Sequence, residues 1–194
     1  LARGLSLSKD PKNGAIHILN AMKKSREDTW CMDLGEVNFG EKKRLFAISA
    51  GIGLDALVCK KALKSTIKDI LNKIRLGKLT YLVLTVQSLF TMQTADAEIF
   101  FDREEGLQKK RMIFTAAMNF KAEGGVPMAP AASACDGKLS FCEAAGIPKW
   151  RTFLCLPFLV AAKHTSIHGF SVTDAKDCTI RLSRPMVVHA DGEY

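Results

Sequence analysis

At 194 residues, 47% hydrophobic and 25% charged, the chain has the composition of one ordinary globular domain, which excludes disorder and low complexity. Its formal charge of +8 calls for an acidic partner, whether nucleic acid, an anionic membrane or a phosphorylated substrate, and charge alone chooses none of them. The six cysteines, Cys31, Cys59, Cys135, Cys142, Cys155 and Cys178, include no CxxC pair, which excludes a disulfide framework or zinc ribbon and leaves reduced, mostly buried thiols.

In chain order, Leu1 and Leu5 before the Ser8-Lys9-Asp10-Pro11 break read as the tail of a helix that starts without a methionine or cap, as though cut. Pro11 suits the first turn of a second helix, with Ile16, Leu19 and Met22 on one face. Across residues 27–37, Trp30, Met32 and Leu34 alternate with Cys31 and Asp33 as in a half-buried strand. Residues 44–49 form a short apolar strand ending at Ala50-Gly51-Ile52-Gly53, where the chain is expected to turn. Helical patterns follow over 54–74 and 78–92. The apolar run 79–92 is interrupted by Thr80, Thr85, Gln87 and Ser88 and falls short of the ~20 residues a bilayer core demands. Strand patterns over 95–102 and 111–119, joined at Glu104-Glu105-Gly106, predict a hairpin.

A long loop of small residues spans 121–137, of the length that compact domains keep for function or leave disordered. Then come a strand over 138–144, a helix over 148–163, and short strands over 169–173, 178–182 and 186–189. Many short strands and few helices predict an α+β, mainly β fold: a β-sandwich-like domain with helical insertions.

Three stretches carry candidate chemistry. Gly51-Ile52-Gly53-Leu54-Asp55-Ala56 follows a strand, and a GxG turn either offers backbone amides to a phosphate or is a tight corner. Asp136-Gly137-Lys138-Leu139 ends the small-residue loop, so Asp136 either joins backbone carbonyls and water around a cation or closes its own turn. In Asp191-Gly192-Glu193, alternation sets both carboxylates on one side of an extended segment, unless the triplet is a surface turn. His164 and His168, four apart, lack a third ligand nearby in sequence and suit a helix end better than zinc. Lys60, Lys61, Lys64, Lys68, Lys73, Arg75 and Lys78 form a basic stripe around Ile67, Ile70, Leu71 and Ile74. It reads either as a solvated helix face or as a surface for anionic headgroups.

In this order the stretches resemble the diacylglycerol kinase catalytic family, which includes bacterial lipid kinases and the sphingosine and ceramide kinases. Leu1-Ala2-Arg3-Gly4-Leu5 looks like the residues just after that family's glycine-threonine-glycine-asparagine-aspartate motif. The 51–56 stretch looks like its glycine-x-glycine-phenylalanine-aspartate-alanine turn, with Leu54 in place of phenylalanine. Residues 119–139 look like its glycine-rich loop and aspartate-glycine-x-leucine segment, and 191–193 match its late acidic motif.

The resemblance implies the C-terminal β-sandwich of a two-domain lipid kinase of NAD kinase/diacylglycerol kinase-like architecture. Residues 1–25 would be a remnant of the nucleotide-binding domain and hinge, and 26–194 the lipid-binding domain. It implies ATP and Mg²⁺ as cofactors, Asp191 as general base, and Glu193 as a catalytic group that also organises nucleotide. It further implies Gly51 and Gly53 at the nucleotide, and Asp136 and Leu139 at magnesium. Here Ala131, Ala132, Cys135 and Ser140 stand where the family often has acidic or amide groups, leaving Asp136 as the only carboxylate of that neighbourhood.

The implied substrate is diacylglycerol or a related lipid alcohol, in phospholipid biosynthesis. The implied place is the cytoplasm, peripheral at the inner membrane surface, with Lys61, Lys64, Lys68 and Arg75 on anionic lipid. Nucleic acid is not expected as a partner, and a homodimer is left open. The chain shows no glycine-rich nucleotide motif, so by itself it is expected to be inactive. Two rival readings are a non-catalytic lipid- or membrane-binding module of the same fold and a basic nucleic-acid-binding module. The second lacks aromatics interleaved with its charges.

Overall fold

The computed structural model describes Ser8 and residues 10–23, 31–64, 77–102 and 106–194. Helix α1 (Pro11–Met22) starts where Asp10 accepts from the amides of Lys12 and Asn13, with proline placed where its missing N–H costs nothing. Strands β1 (Gly35–Phe39) and β2 (Lys42–Phe46) form a separate antiparallel hairpin. Next come β3 (Ser49–Gly53), α2 (Leu54–Lys64), α3 (Gly77–Thr91), β4 (Ala95–Phe101), β5 (Leu107–Met112) and β6 (Phe114–Met118). The chain continues through β7 (Leu139–Ala144), α4 (Lys149–Val160), β8 (Phe170–Ala175), β9 (Cys178–Leu182) and β10 (Val188–Ala190).

The strands make a five-stranded antiparallel sheet, β10-β3-β6-β7-β8, and a three-stranded one, β5-β4-β9. Alternation along β6 and β7 sends Phe114, Ala116, Met118, Cys142 and Ala144 to one face, where Leu54, Leu84, Leu89, Cys155 and Leu159 of the helices bury them. Phe141 points to the opposite face, where it packs with Ile99 and Phe101 of β4. The large sheet is thus the middle layer of a sandwich, with helices on one side and the small sheet on the other.

Several sequence expectations shift. The strand expected over 27–37 starts only at Gly35, and residues 27–30 lie outside the described residues. The strand expected over 44–49 is two strands with a corner at residues 47–48. Gly51 and Gly53 sit inside β3, not on a turn after it, and the direction changes abruptly between Gly53 and Leu54. The expected hairpin partner of β4 is β5, whereas β6 belongs to the other sheet. Arg111, at φ 50°, and Ile113 carry the chain round that corner. Helix α2 is described to Lys64, so the rest of the 54–74 expectation falls outside the described residues. All six cysteines are free, with Cys31 and Cys135 exposed and only Cys142 and Cys155 fully buried.

Gly53 is where strand becomes helix. Its φ of +97° disfavours any side chain, and a Cβ would lie 2.3 Å from the Ile113 carbonyl oxygen. That carbonyl also accepts the Leu54 amide at 2.9 Å, so it cannot yield. Gly53→Ala is expected to lower unfolding stability by about 2 kcal/mol or more. Urea denaturation checks this, and an unchanged midpoint would show that the corner relaxes freely.

Candidate functional site

The short side chains of β3 let four polar residues from three distant segments converge. Asp55 and Cys59 are one turn apart on α2, Glu123 comes from the 121–137 loop, and His189 from β10. His189 Nε2 lies 2.7 Å from Asp55 Oδ2 and 3.7 Å from Glu123 Oε1. The group leaves no room for a side chain at Gly51, where a Cβ would meet Asp55 Oδ2 at 2.2 Å and His189 Nε2 at 2.5 Å.

Burial, joined by the charge of Asp55, pushes the Glu123 carboxyl up to about 7. Burial and the charges of Asp55 and Glu123 push the Cys59 thiol up to about 12. For His189 burial works the other way, but the Asp55 hydrogen bond and the charges of Asp55, Glu123 and Asp191 outweigh it and raise the imidazole above its ordinary value. The Gly192 amide donates to His189 Nδ1 at 3.1 Å, which sets the ring proton on Nε2, facing Asp55.

The ligand atoms of these four residues lie within 4.8 Å of one another, but their protons argue against a metal. The nitrogen that would face the ion carries the hydrogen, because Gly192 fills the other. The thiol of Cys59 is held in its protonated form. The arrangement suits holding and passing a proton better than ligation.

Beside it, Asp191-Gly192-Glu193 is a turn, not the extended segment expected, with φ of 50° at Asp191 and 84° at Gly192. The Asp191 carboxylate accepts the amides of Ala47 and Ile48 at 2.8 Å each and of Ser49 at 3.1 Å. Its own amide donates to the Ser49 carbonyl at 2.8 Å. Glu193 pairs with Arg44 at 2.6 Å. The two carboxylates therefore diverge, one into the β2–β3 corner and one onto β2. The Gly53 amide donates to the Val187 carbonyl at 3.0 Å, so it is not open to a phosphate.

At Asp136 the side chain closes its own turn on the Lys138 amide at 3.1 Å. The Gly137 amide donates to Asp33 Oδ2 at 2.8 Å, and the Asp33 amide to the Ala134 carbonyl at 2.7 Å. Asp33 thus brings a second carboxylate, from before β1, beside the Asp136 turn. Each carboxylate keeps an oxygen that accepts no hydrogen bond among the described residues, and hard oxygen donors that leave room for water are what Mg²⁺ takes. Leu139 opens β7 and lines a large cavity.

That cavity, of about 1540 Å³, lies between the β1–β2 hairpin, the large sheet and β9. Phe46, Ile52, Ala117, Phe141, Ile180 and Leu182 give it an apolar lining, and Asp33, Gly137, Lys138 and Lys176 join them. Gly51 lines it with backbone alone, and since its Cβ direction faces Asp55 and His189, the cluster lies across β3 from the cavity.

Asp191 and Glu193 sit in the turn after β10, and Gly51 and Leu139 line the cavity, while Asp136, in its own turn, does not. Lys61 donates to Thr91 Oγ1 at 3.2 Å, joining α2 to α3. Lys64 is the last described residue of α2, and Lys68 and Arg75 lie outside the described residues. His164 is buried in a 3₁₀ turn against the Met128 carbonyl, while His168 is exposed, so the two share no face. Asp33, Cys59, Glu123 and His189 were not found in the sequence. Only the two-residue step from His189 to Asp191 and the four-residue step from Asp55 to Cys59 hinted at any of them.

Residues 48–194 match the family of the YegS C-terminal NAD kinase beta sandwich-like domain. A Bacillus subtilis (strain 168) protein named as a candidate lipid kinase, YtlR, is 27% identical over 99% of this chain and 62% of its own length. Two solved structures from Bacillus anthracis str. Sterne share the fold. One, described as a candidate diacylglycerol kinase, has a TM-score of 0.69 at 20% identity, over 100% of this chain and 58% of its own. The other, described as a diacylglycerol kinase, has a TM-score of 0.62 at 15% identity, over 98% of this chain and 54% of its own. The chain thus spans little more than half the length of these relatives. Among the described residues, no helix is long and apolar enough to cross a membrane.

The raised Glu123 carboxyl has a consequence for stability. It holds its proton to about 7 when folded and releases it near 4.5, its ordinary value, when unfolded. Between those values the folded state binds more protons, so stability falls as pH rises through that window. The raised His189 acts in the same sense at higher pH. Glu123→Gln is expected to match the parent near pH 5 and exceed it in stability near pH 8. Urea midpoints across that range check it, and parallel profiles for the two proteins count against a buried, protonated Glu123.

Proposed function

Since this chain belongs to the YegS C-terminal NAD kinase beta sandwich-like domain family, we propose that it is the lipid-binding part of an ATP-dependent kinase that phosphorylates a lipid hydroxyl. The observation that carries this reading is a large cavity with an apolar wall, backed across β3 at Gly51 by a cluster able to take a proton. A lipid alcohol needs both: an apolar space for its chain and an acceptor for the hydroxyl proton at its polar end. Diacylglycerol or a related lipid alcohol suits that description, and the work fits phospholipid biosynthesis at the cytoplasmic face of a membrane.

In the mechanism proposed, acyl carbons lie against Phe46, Ile52 and Phe141, and the hydroxyl faces β3 and β10. Asp191 acts as the general base. Its three amide donors fix the carboxylate in direction, so its remaining lone pairs are aimed by the fold and need no reorganisation. Glu193, paired with Arg44, contributes charge where nucleotide phosphates would approach. Mg²⁺, held by Asp136 and Asp33, would neutralise those phosphates when bound. Phosphoryl transfer asks mainly for such positioning and charge balance. The ATP itself would sit on a nucleotide domain outside these 194 residues.

A second assignment of the base is favoured by one observation. Glu123, pushed to about 7, is matched to proton transfer at neutral pH, and His189 links it to Asp55.

Two variants of the full-length protein separate the assignments. Asp191→Asn is expected to lower turnover by ~10²-fold or more at matched folded protein. Glu123→Gln should leave turnover within a few-fold and remove any rate change near pH 7. Should Glu123→Gln carry the larger loss, the base is Glu123. If neither variant slows lipid phosphorylation, the kinase reading of this cluster fails. The 194-residue chain alone is expected to transfer no phosphate from ATP to lipid, checked with radiolabelled ATP and mixed micelles.

A further inference from the structure

Helices α3 and α4 lie side by side, with the Phe90 and Phe153 rings 6.0 Å apart and Lys149 donating to the carbonyls of Phe90 and Met92. Their inner residues fill the core. Their outer face is not the polar surface a solvated helix pair would carry. Leu82, Phe90 and Phe153 are exposed, as are Trp150 at 61%, Leu154 at 57% and Phe158 at 49%. Neither helix contains an Asp or Glu. The charges at the ends of α4 are all basic: Lys149 and Arg151 at its start and Lys163 just past its end.

An aromatic, apolar face with a basic rim and no acid has a specific complement. A second copy docking through the same face would set one basic rim against another, with no carboxylate from either helix pair between them. An anionic bilayer supplies what is missing, with acyl boundary for the rings and phosphates for the rim. Tryptophan at such a face favours the headgroup level.

We propose that the outer face of α3 and α4 is the surface by which this domain docks on anionic lipid. Trp150, Leu154 and Phe158 enter the headgroup boundary, and Arg151 and Lys163 meet phosphates. The proposal rests on the lipid-kinase reading and adds to it the place of membrane contact.

The test uses full-length protein with vesicles of phosphatidylcholine alone or mixed with phosphatidylglycerol. In a background where Trp30 and every tryptophan outside these 194 residues are replaced by Phe, Trp150 emission should shift to the blue and be quenched by brominated lipid, but only with the anionic vesicles. The triple variant Trp150→Ser, Leu154→Ser, Phe158→Ser should lose at least tenfold in sedimented fraction while melting like the parent. Arg151→Glu with Lys163→Glu, which leaves the apolar residues in place, should lose binding to anionic vesicles specifically.

Equal sedimentation of parent and triple variant overturns the proposal, as does unquenched Trp150. A parent dimer that the triple variant turns to monomer in ultracentrifugation overturns it in favour of a second copy. Phosphorylation of lipid in detergent micelles tells the two readings apart. Activity there without a variant effect on vesicles sinks only the docking surface, and absent activity sinks the kinase reading while the vesicle data still judge the docking.

Discussion

The corner at residues 47–49 is the constraint on which the rest of the site depends. Between the β1–β2 hairpin and the large sheet the backbone turns without a ladder partner, and every polar group there needs one from elsewhere. The Asp191 carboxylate takes the amides of Ala47, Ile48 and Ser49, and the Ser49 carbonyl takes the Asp191 amide. The fully buried Asn119 supplies the opposite sense, donating from its side chain to the Ala47 carbonyl and from its amide to the Ile48 carbonyl. Two residues, by side chain and backbone together, thus satisfy a whole corner. Because Asn119 also donates to the Asp33 carbonyl at 2.6 Å, the same lock extends to the Asp136 loop.

That lock explains how an exposed turn can be held in one shape. Asp191 and Gly192 both adopt left-handed backbone, a conformation that an unsupported Asp leaves easily. Asp191 is held from one side by the corner, and Gly192 from the other by His189 Nδ1. His189 is itself oriented by Asp55. The acidic turn, the imidazole and the β3 strand form one mechanical unit, and the absent side chain of Gly51 lets them close on each other.

Much of the fold was legible because it obeys short-range rules. Strand β9 begins and ends where its alternation says, at Cys178 and Leu182, and α4 differs from its pattern only at its ends. The failures share one cause: pairing over long distance overrides local pattern. Residues 111–119 look like one strand, yet Arg111 and Ile113 bend the chain from one sheet into another. Gly51 and Gly53 look like a turn, but glycine is what the strand needs where the Asp55–His189 pair presses on Gly51 and the Ile113 carbonyl on Gly53. Asp191 and Glu193 stood out by motif. Glu123 and His189 did not, because nothing in their neighbours along the chain announces a partner 134 residues away, as Asp55 is from His189.

The contact between Asp191 and Ala47 joins residues 144 apart, which bears on the order in which the protein takes shape. Hairpins such as β4–β5 can close as soon as they are made, whereas β10 can join β3 only after everything between them has been synthesised. Until then the 47–49 corner has no anion to bind its amides, and the edge of β3 that β10 covers is bare. The proton-holding cluster is therefore among the last parts to assemble. A nascent chain stalled before residue 188 would carry nearly the whole sandwich without His189 or Asp191, with an open strand edge for chaperones to guard.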